Sequence, residues 1–174
     1  MVSWNVLLCA YVDYGHNAEA VECFEHMQAA GISPDAVSII FSLKACSNSG
    51  DFEKGSEIHA EIERSGLLDN DVFISSALVD MYAKCDSLAM ARKVFDKIRT
   101  RDTVVWTALI AGYSEHGHGE EALKCLDRMQ FDGFPPNAIT IVCSLKACGC
   151  IGAIDKGEEL HAEIERQGLL EKDP

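Results

Sequence analysis

Apolar residues recur along this chain with the spacing of one face of a helix. Trp4, Leu7, Leu8 and Tyr11 stand at i, i+3, i+4 and i+7, and Ala20, Cys23, Phe24 and Met27 form a second stripe after Gly15-His16-Asn17. Further along, Trp106, Leu109, Ile110 and Tyr113, then Ala122, Cys125, Leu126 and Met129, repeat the design. Asn17 is the expected N-cap of the second helix, and Gly31 followed by Pro34 predicts its end. Gly66 is expected to close a helix carrying Phe52, Ile58 and Ile62, and Gly168 one carrying Ile154, Leu160 and Ile164. A shorter helix, from about Ser87 to Ile98, runs into Arg99-Thr100-Arg101-Asp102 with no glycine tail.

The stripes belong to an internal duplication. Ser42-Leu43-Lys44-Ala45-Cys46 returns as Ser144-Leu145-Lys146-Ala147-Cys148, and His59-Ala60-Glu61-Ile62-Glu63-Arg64 as His161-Ala162-Glu163-Ile164-Glu165-Arg166, both at an offset of 102 residues. The same offset carries Gly15 onto Gly117, Gly31 onto Gly133 and Pro34 onto Pro136. Within it lie three shorter repeats, 1–35, 36–71 and 72–102; repeats four and five, 103–137 and 138–173, restart the cycle, and Pro174 would open a sixth. Each repeat reads as two short helices, so the expectation is ten helices and no strand. Helices of about 12 residues are marginal alone in water, so each hairpin must bury its stripe against the next. The expected fold is all-α, a helix-turn-helix repeat solenoid. Its first helices would lie side by side and form ladders of equivalent residues, an arrangement suited to a linear polymer.

Composition narrows this picture. Of 174 residues 48% are hydrophobic and four are proline, and charges interrupt every apolar stretch, which excludes collagen, disorder and a membrane span. The 15 Lys and Arg against 28 Asp and Glu leave a net charge of −13, so any nucleic-acid binding must be local rather than a bulk attraction. The eight cysteines sit mostly among apolar neighbours and read as buried free thiols of a reducing compartment. Met-Val-Ser-Trp-Asn leads directly into helical sequence, so no targeting segment is expected in this chain.

Chemical motifs fail on inspection. His59-Ala60-Glu61 and His161-Ala162-Glu163 supply the H-x-E half of a zinc deaminase signature, but no C-x-x-C occurs; Cys148-Gly149-Cys150 is one residue short. The spacing of Cys46 to His59 and of Cys148 to His161 simply follows the repeat. Both histidines are expected at helix interfaces, and the acidic runs Glu19–Glu25 and Asp155–Glu165 on solvated outer faces. No phosphate loop or nucleophile elbow is present, so neither catalysis, nor a metal, nor any cofactor is expected.

The chain resembles a pentatricopeptide repeat array of the land-plant type that alternates P, L and S motifs of 35, 36 and 31 residues. Val2-Ser3-Trp4-Asn5 with Gly31-Ile32-Ser33-Pro34-Asp35 is similar to a P motif, and Leu43-Lys44-Ala45-Cys46 with His59-Ala60 to an L motif. Ala77-Leu78-Val79-Asp80-Met81-Tyr82-Ala83-Lys84-Cys85 with Ala91-Arg92-Lys93-Val94-Phe95-Asp96 is similar to an S motif, giving the order P-L-S-P-L. The resemblance implies a superhelical array that binds single-stranded RNA at about one base per repeat. It also implies an organellar RNA editing or processing factor of mitochondrion or plastid, with possible protein partners in an editing complex.

In such arrays the fifth and last residues of each motif face the base edge and the second wedges between bases. The resemblance therefore implies base recognition by Asn5 with Asp35, Ser76 with Asp102, and Thr107 with Asn137, preferring uracil, guanine and adenine in turn. Ile40 with Asp71 and Val142 with Asp173 have apolar fifth residues that cannot hydrogen-bond a base and should discriminate weakly. With the RNA 5′ end at repeat one, the implied site is 5′-UNGAN-3′. The wedges would be Val2, Val37, Phe73, Val104 and Ile139, positions that would otherwise belong to the core. Asp35, Asp102 and Asn137 are equally N-cap residues, and both roles can coexist. A helical scaffold for protein partners is the alternative, favoured by the net charge; Lys44, Lys84 and Lys146 on first helices favour RNA.

Overall fold

The computed structural model describes residues 2–67 and 71–166, with the side chain of Val2 outside the description. All regular elements among them are helices: α1 (Val2–Asp13), α2 (Asn17–Ala29), α3 (Ala36–Ser49), α4 (Phe52–Ser65), α5 (Val72–Lys84), α6 (Leu88–Lys97), α7 (Thr103–Glu115), α8 (Gly119–Phe131), α9 (Ala138–Ile151) and α10 (Ile154–Arg166). They form five two-helix repeats of an all-α repeat solenoid, two helices to each repeat read from the sequence. Residues divide into two compact bodies, Met1–Thr100 and Arg101–Pro174. The boundary falls where α6 stops: Ile98 is extended (φ −67°, ψ 121°), whereas α3 and α4 end on left-handed Gly50 (φ 72°) and Gly66 (φ 68°). Only glycine takes that conformation without strain, and the third repeat has none there.

In the first body α1 packs on α2 and α3, α3 on α4 and α5, and α5 on α6, so the first helices α1, α3 and α5 stand side by side. Leu8, Phe24, Met27, Leu43, Ile62, Leu78 and Phe95 are buried between them, each stabilising the fold by about 1.5 to 3 kcal/mol through removal from water. The second body repeats the scheme with α7 on α8 and α9, and α9 on α10, around Leu109, Leu126, Met129 and Ala147. Gly119 lets α8 approach α9: a Cβ there would stand 2.7 Å from the Ala147 carbonyl oxygen. On the outer side, Lys54 Nζ reaches Glu25 Oε1 at 2.6 Å, and at the same offset of 102 Lys156 Nζ reaches Asp127 Oδ1 at 3.1 Å, tying neighbouring second helices together.

Three sequence expectations change. Asn17 is not the cap of α2: His16 is, with no side-chain capping bond, and Asn17 Oδ1 instead accepts from Asn48 Nδ2 at 3.3 Å. Its equivalent, Gly119, is likewise the first helical residue, after His118. Leu7 is 41% exposed because α1 turns Leu8 and Val12, one helical turn apart, toward α2 and α3. Of the two motif histidines, His59 is buried and its Nδ1 lies 2.8 Å from the Tyr82 hydroxyl, joining α4 to α5. His161 is exposed, 3.7 Å from Glu165, because no described helix packs over it as α5 packs over His59 on α4. Gly168 lies outside the described residues.

Candidate nucleic-acid interface

The inter-repeat turns place a short acceptor before every first helix from α3 onward. Asp35 Oδ1 accepts from Ser38 N at 2.9 Å, Asp71 Oδ1 from Phe73 N at 2.8 Å, Asp102 Oδ1 from Val105 N at 2.9 Å and Asn137 Oδ1 from Thr140 N at 2.8 Å. Each satisfies a backbone donor that the helix start leaves unpaired. The capping role is therefore real for all four, and each cap uses one side-chain oxygen while leaving the second side-chain atom to other partners.

Two residues into each helix stands an apolar side chain in water. Val37 is 45% exposed, Phe73 69%, Val104 50% and Ile139 63%. These positions are thus not core; the buried residues of the same turns are Ile39, Ile74, Val105 and Ile141. Among such caps, four large apolar groups recurring at one register are a surface feature that folding alone does not require.

The fifth residues differ between repeats. Asn5 Nδ2 donates to both oxygens of Asp35, at 2.9 Å and 3.2 Å, while Asn5 Oδ1 is buried with no donor from the protein facing it. Burial pulls the Asp35 carboxyl up, but the bonds from Ser38, Asn5 and the Val37 amide outweigh it and hold the acid below its ordinary range. Asn5 and Val37 line an open groove of about 660 Å³ between α1 and α3, with Val6 and Tyr14 completing its walls. In repeat four, Thr107 is buried; its Oγ1 lies 2.7 Å from the Thr103 carbonyl and 2.7 Å from Thr140 Oγ1, which in turn lies 2.9 Å from Asn137 Oδ1. Ser76 donates to the Phe73 carbonyl at 3.0 Å in the first body, and Asp102 caps α7 in the second. In repeat two Ile40 is half-buried; in repeat five Val142 is 63% exposed, and Asp173 lies outside the described residues.

Lys44, Lys84 and Lys146 are exposed on first helices, with Lys44 3.9 Å from Asp13 and Lys84 3.0 Å from Asp80. Among the described residues no group of three or more His, Cys, Asp and Glu is placed to hold a metal ion, and no helix is long and apolar enough to cross a membrane. Burial pushes the Cys46 thiol up to about 12, which leaves it inert. Sequence reasoning missed Thr140, Val6 and Tyr14. The signal for Thr140 was legible: Asn137-Ala138-Ile139-Thr140 has the spacing of a capping box, as has Asp35-Ala36-Val37-Ser38.

Models of the PPR repeat family match residues 1–48 and 101–150, and a PPR repeat model matches residues 43–67 and 73–102. The chain belongs to the pentatricopeptide repeat family. Two pentatricopeptide repeat-containing proteins of Arabidopsis thaliana illustrate the relation. One is 39% identical over 169 residues, 97% of this chain and 24% of its own length. Another, named as mitochondrial, is 39% identical over 165 residues, 95% of this chain and 18% of its own length. The chain thus spans about a quarter or less of these two relatives. Among solved structures, the pentatricopeptide repeat protein PPR10 in complex with an 18-nucleotide psaJ RNA element is similar with a TM-score of 0.81 and 26% identity, over 97% of this chain and 25% of that one. Another structure, of PPR10 from maize, gives 0.73 and 27%, again over 97% of this chain and 24% of the other. A nuclear protein-only RNase P of Arabidopsis thaliana, at 13% identity and a TM-score of 0.69 over 94% of this chain and 38% of that one, shares the fold.

Proposed function

We propose that this pentatricopeptide chain is a module that binds single-stranded RNA and reads about one base per repeat. The observation that carries the reading is the register of exposed Val37, Phe73, Val104 and Ile139, each two residues past a capping Asp or Asn. An apolar side chain in water beside a polar rim suits the face of a base, whose edge then meets the polar group. Similarity to PPR10, solved with bound RNA, supports it. The five repeats act as one array in the order P-L-S-P-L, with the preferred site 5′-UNGAN-3′. In repeats two and five, Ile40 and Val142 leave the base unread.

The module is part of an organellar RNA editing or processing factor, a reading supported by relatives named as mitochondrial. Net charge −13 and only three reading repeats set a modest affinity. Fluorescence anisotropy on RNAs carrying UNGAN, the same length of random sequence, and a duplex tests this. The expected order is UNGAN over random single strand, with the duplex weakest. Nanomolar binding to random RNA at physiological salt, or binding to no RNA at all, would overturn the reading; the second result favours a protein scaffold.

A further inference from the structure

We propose that Thr140, a residue of repeat five, sets the base preference of repeat four. This rests on the base-reading assignment above and adds to it a residue that touches no base. Thr140 is fully buried, yet its hydroxyl lies within hydrogen-bond distance of both candidate recognition residues of the preceding repeat, 2.7 Å from Thr107 Oγ1 and 2.9 Å from Asn137 Oδ1.

Counting protons shows what the arrangement does. Three close oxygen contacts run from the Thr103 carbonyl through Thr107 and Thr140 to Asn137 Oδ1, and two hydroxyl protons serve them. Wherever the two protons stand, both are taken up inside the chain, and Thr107 has only a lone pair to offer a ligand. Asn137 Oδ1 also receives the Thr140 backbone N–H, so its amide is held with the Nδ2 donor outward. Repeat four therefore presents one acceptor and one donor in a fixed order. The edge of adenine, an N6 amino donor beside the N1 acceptor, complements that order. Guanine presents a carbonyl acceptor beside an N–H donor, the reverse. Thr140 is thus a positioning residue: it selects the amino-type edge by fixing the polarity of its two neighbours.

Repeat one lacks this device. Ser38 stands at the same place, but its hydroxyl bonds only the Asp35 backbone, donating to the carbonyl at 2.8 Å and accepting from the amide at 2.9 Å; the Asp35 carboxylate is met by Asn5 directly.

The test uses the whole chain and RNAs that differ at the fourth base of UNGAN, comparing wild type with Thr140→Val, Thr140→Ser and Ser38→Ala. Valine is compatible with this place in a helix start, since Val105 and Ile74 occupy it in repeats four and three. In Thr140→Val the preference for adenine over guanine should fall about 2- to 10-fold, the share of one neutral hydrogen bond, and Thr140→Ser should restore it. Ser38→Ala should leave the uracil preference at the first base unchanged. Retention of the wild-type ratio in Thr140→Val, or equal loss in the serine variant, overturns the proposal while leaving the base-reading assignment intact. Loss of first-base preference in Ser38→Ala would make the effect one of capping in general and also overturn it. A wild-type chain indifferent to the fourth base removes the base-reading assignment itself, and this proposal with it.

Discussion

Repeats one and four share the same 35-residue pattern, yet they connect their candidate recognition residues differently. In repeat one the amide of Asn5 bonds the Asp35 carboxylate without an intermediary. In repeat four Thr107 and Asn137 meet through the Thr140 hydroxyl, borrowed from the next helix. The difference follows from reach. Asparagine carries its donor one bond further from the backbone than threonine, so a Thr-Asn pair needs a bridge where an Asn-Asp pair does not. In repeat four, two positions therefore understate what holds the pair in place, and the third residue of the following helix, Thr140, belongs to the unit.

The largest expected effect separates the two repeats by burial. Trp106 is fully buried and Trp4 half-buried, so Trp106→Ala should cost about 3 to 5 kcal/mol of stability and Trp4→Ala clearly less, read by urea unfolding of the whole chain. Equal losses would mean that the two repeats are packed alike. Capping comes next. Asp35→Ala and Asn137→Ala should each cost about 1 kcal/mol by the same measurement, whereas Asp35→Asn, which keeps an accepting oxygen, should cost less. A loss near zero in both alanine variants would break the claim that these residues cap helices as well as face a ligand.

The smallest effect is one of pH and belongs to the first body. Burial depresses the His59 pKa; Glu63 opposes it, while Lys97 and Lys93 add to the depression. The fold thus favours the neutral imidazole, and the unfolded chain binds a proton at higher pH than the folded one does. Stability from His59 is complete above about pH 6.5, the ordinary histidine value, and is lost as pH falls below it. Unfolding midpoints at pH 7.5 and 5.5 should differ more in wild type than in His59→Gln.

Helix number, helix pairing and the glycine-ended turns were all legible in the sequence, because a 102-residue duplication shows the stripes of the first two repeats twice. The second residues were ambiguous there. Val37 and Ile39 are both apolar and two apart, and only backbone geometry tells which faces water and which the core. Asn17 misled because its side chain suits a cap, but the turn delivers His16 to that place. Thr140 was hidden for a different reason: its partner Thr107 is 33 residues away, and a contact between successive repeats leaves no trace in local spacing.

The central claim is that Thr107 and Asn137 read a base as well as stabilise helices. Changing Thr107→Asn together with Asn137→Asp copies the pair of repeat one into repeat four. Binding measured against all four bases at the fourth place should then shift from adenine to uracil, by roughly 5- to 150-fold, an upper guide taken from bidentate base contacts. An unchanged order of preference in the double variant would contradict the account and leave these residues as helix caps alone.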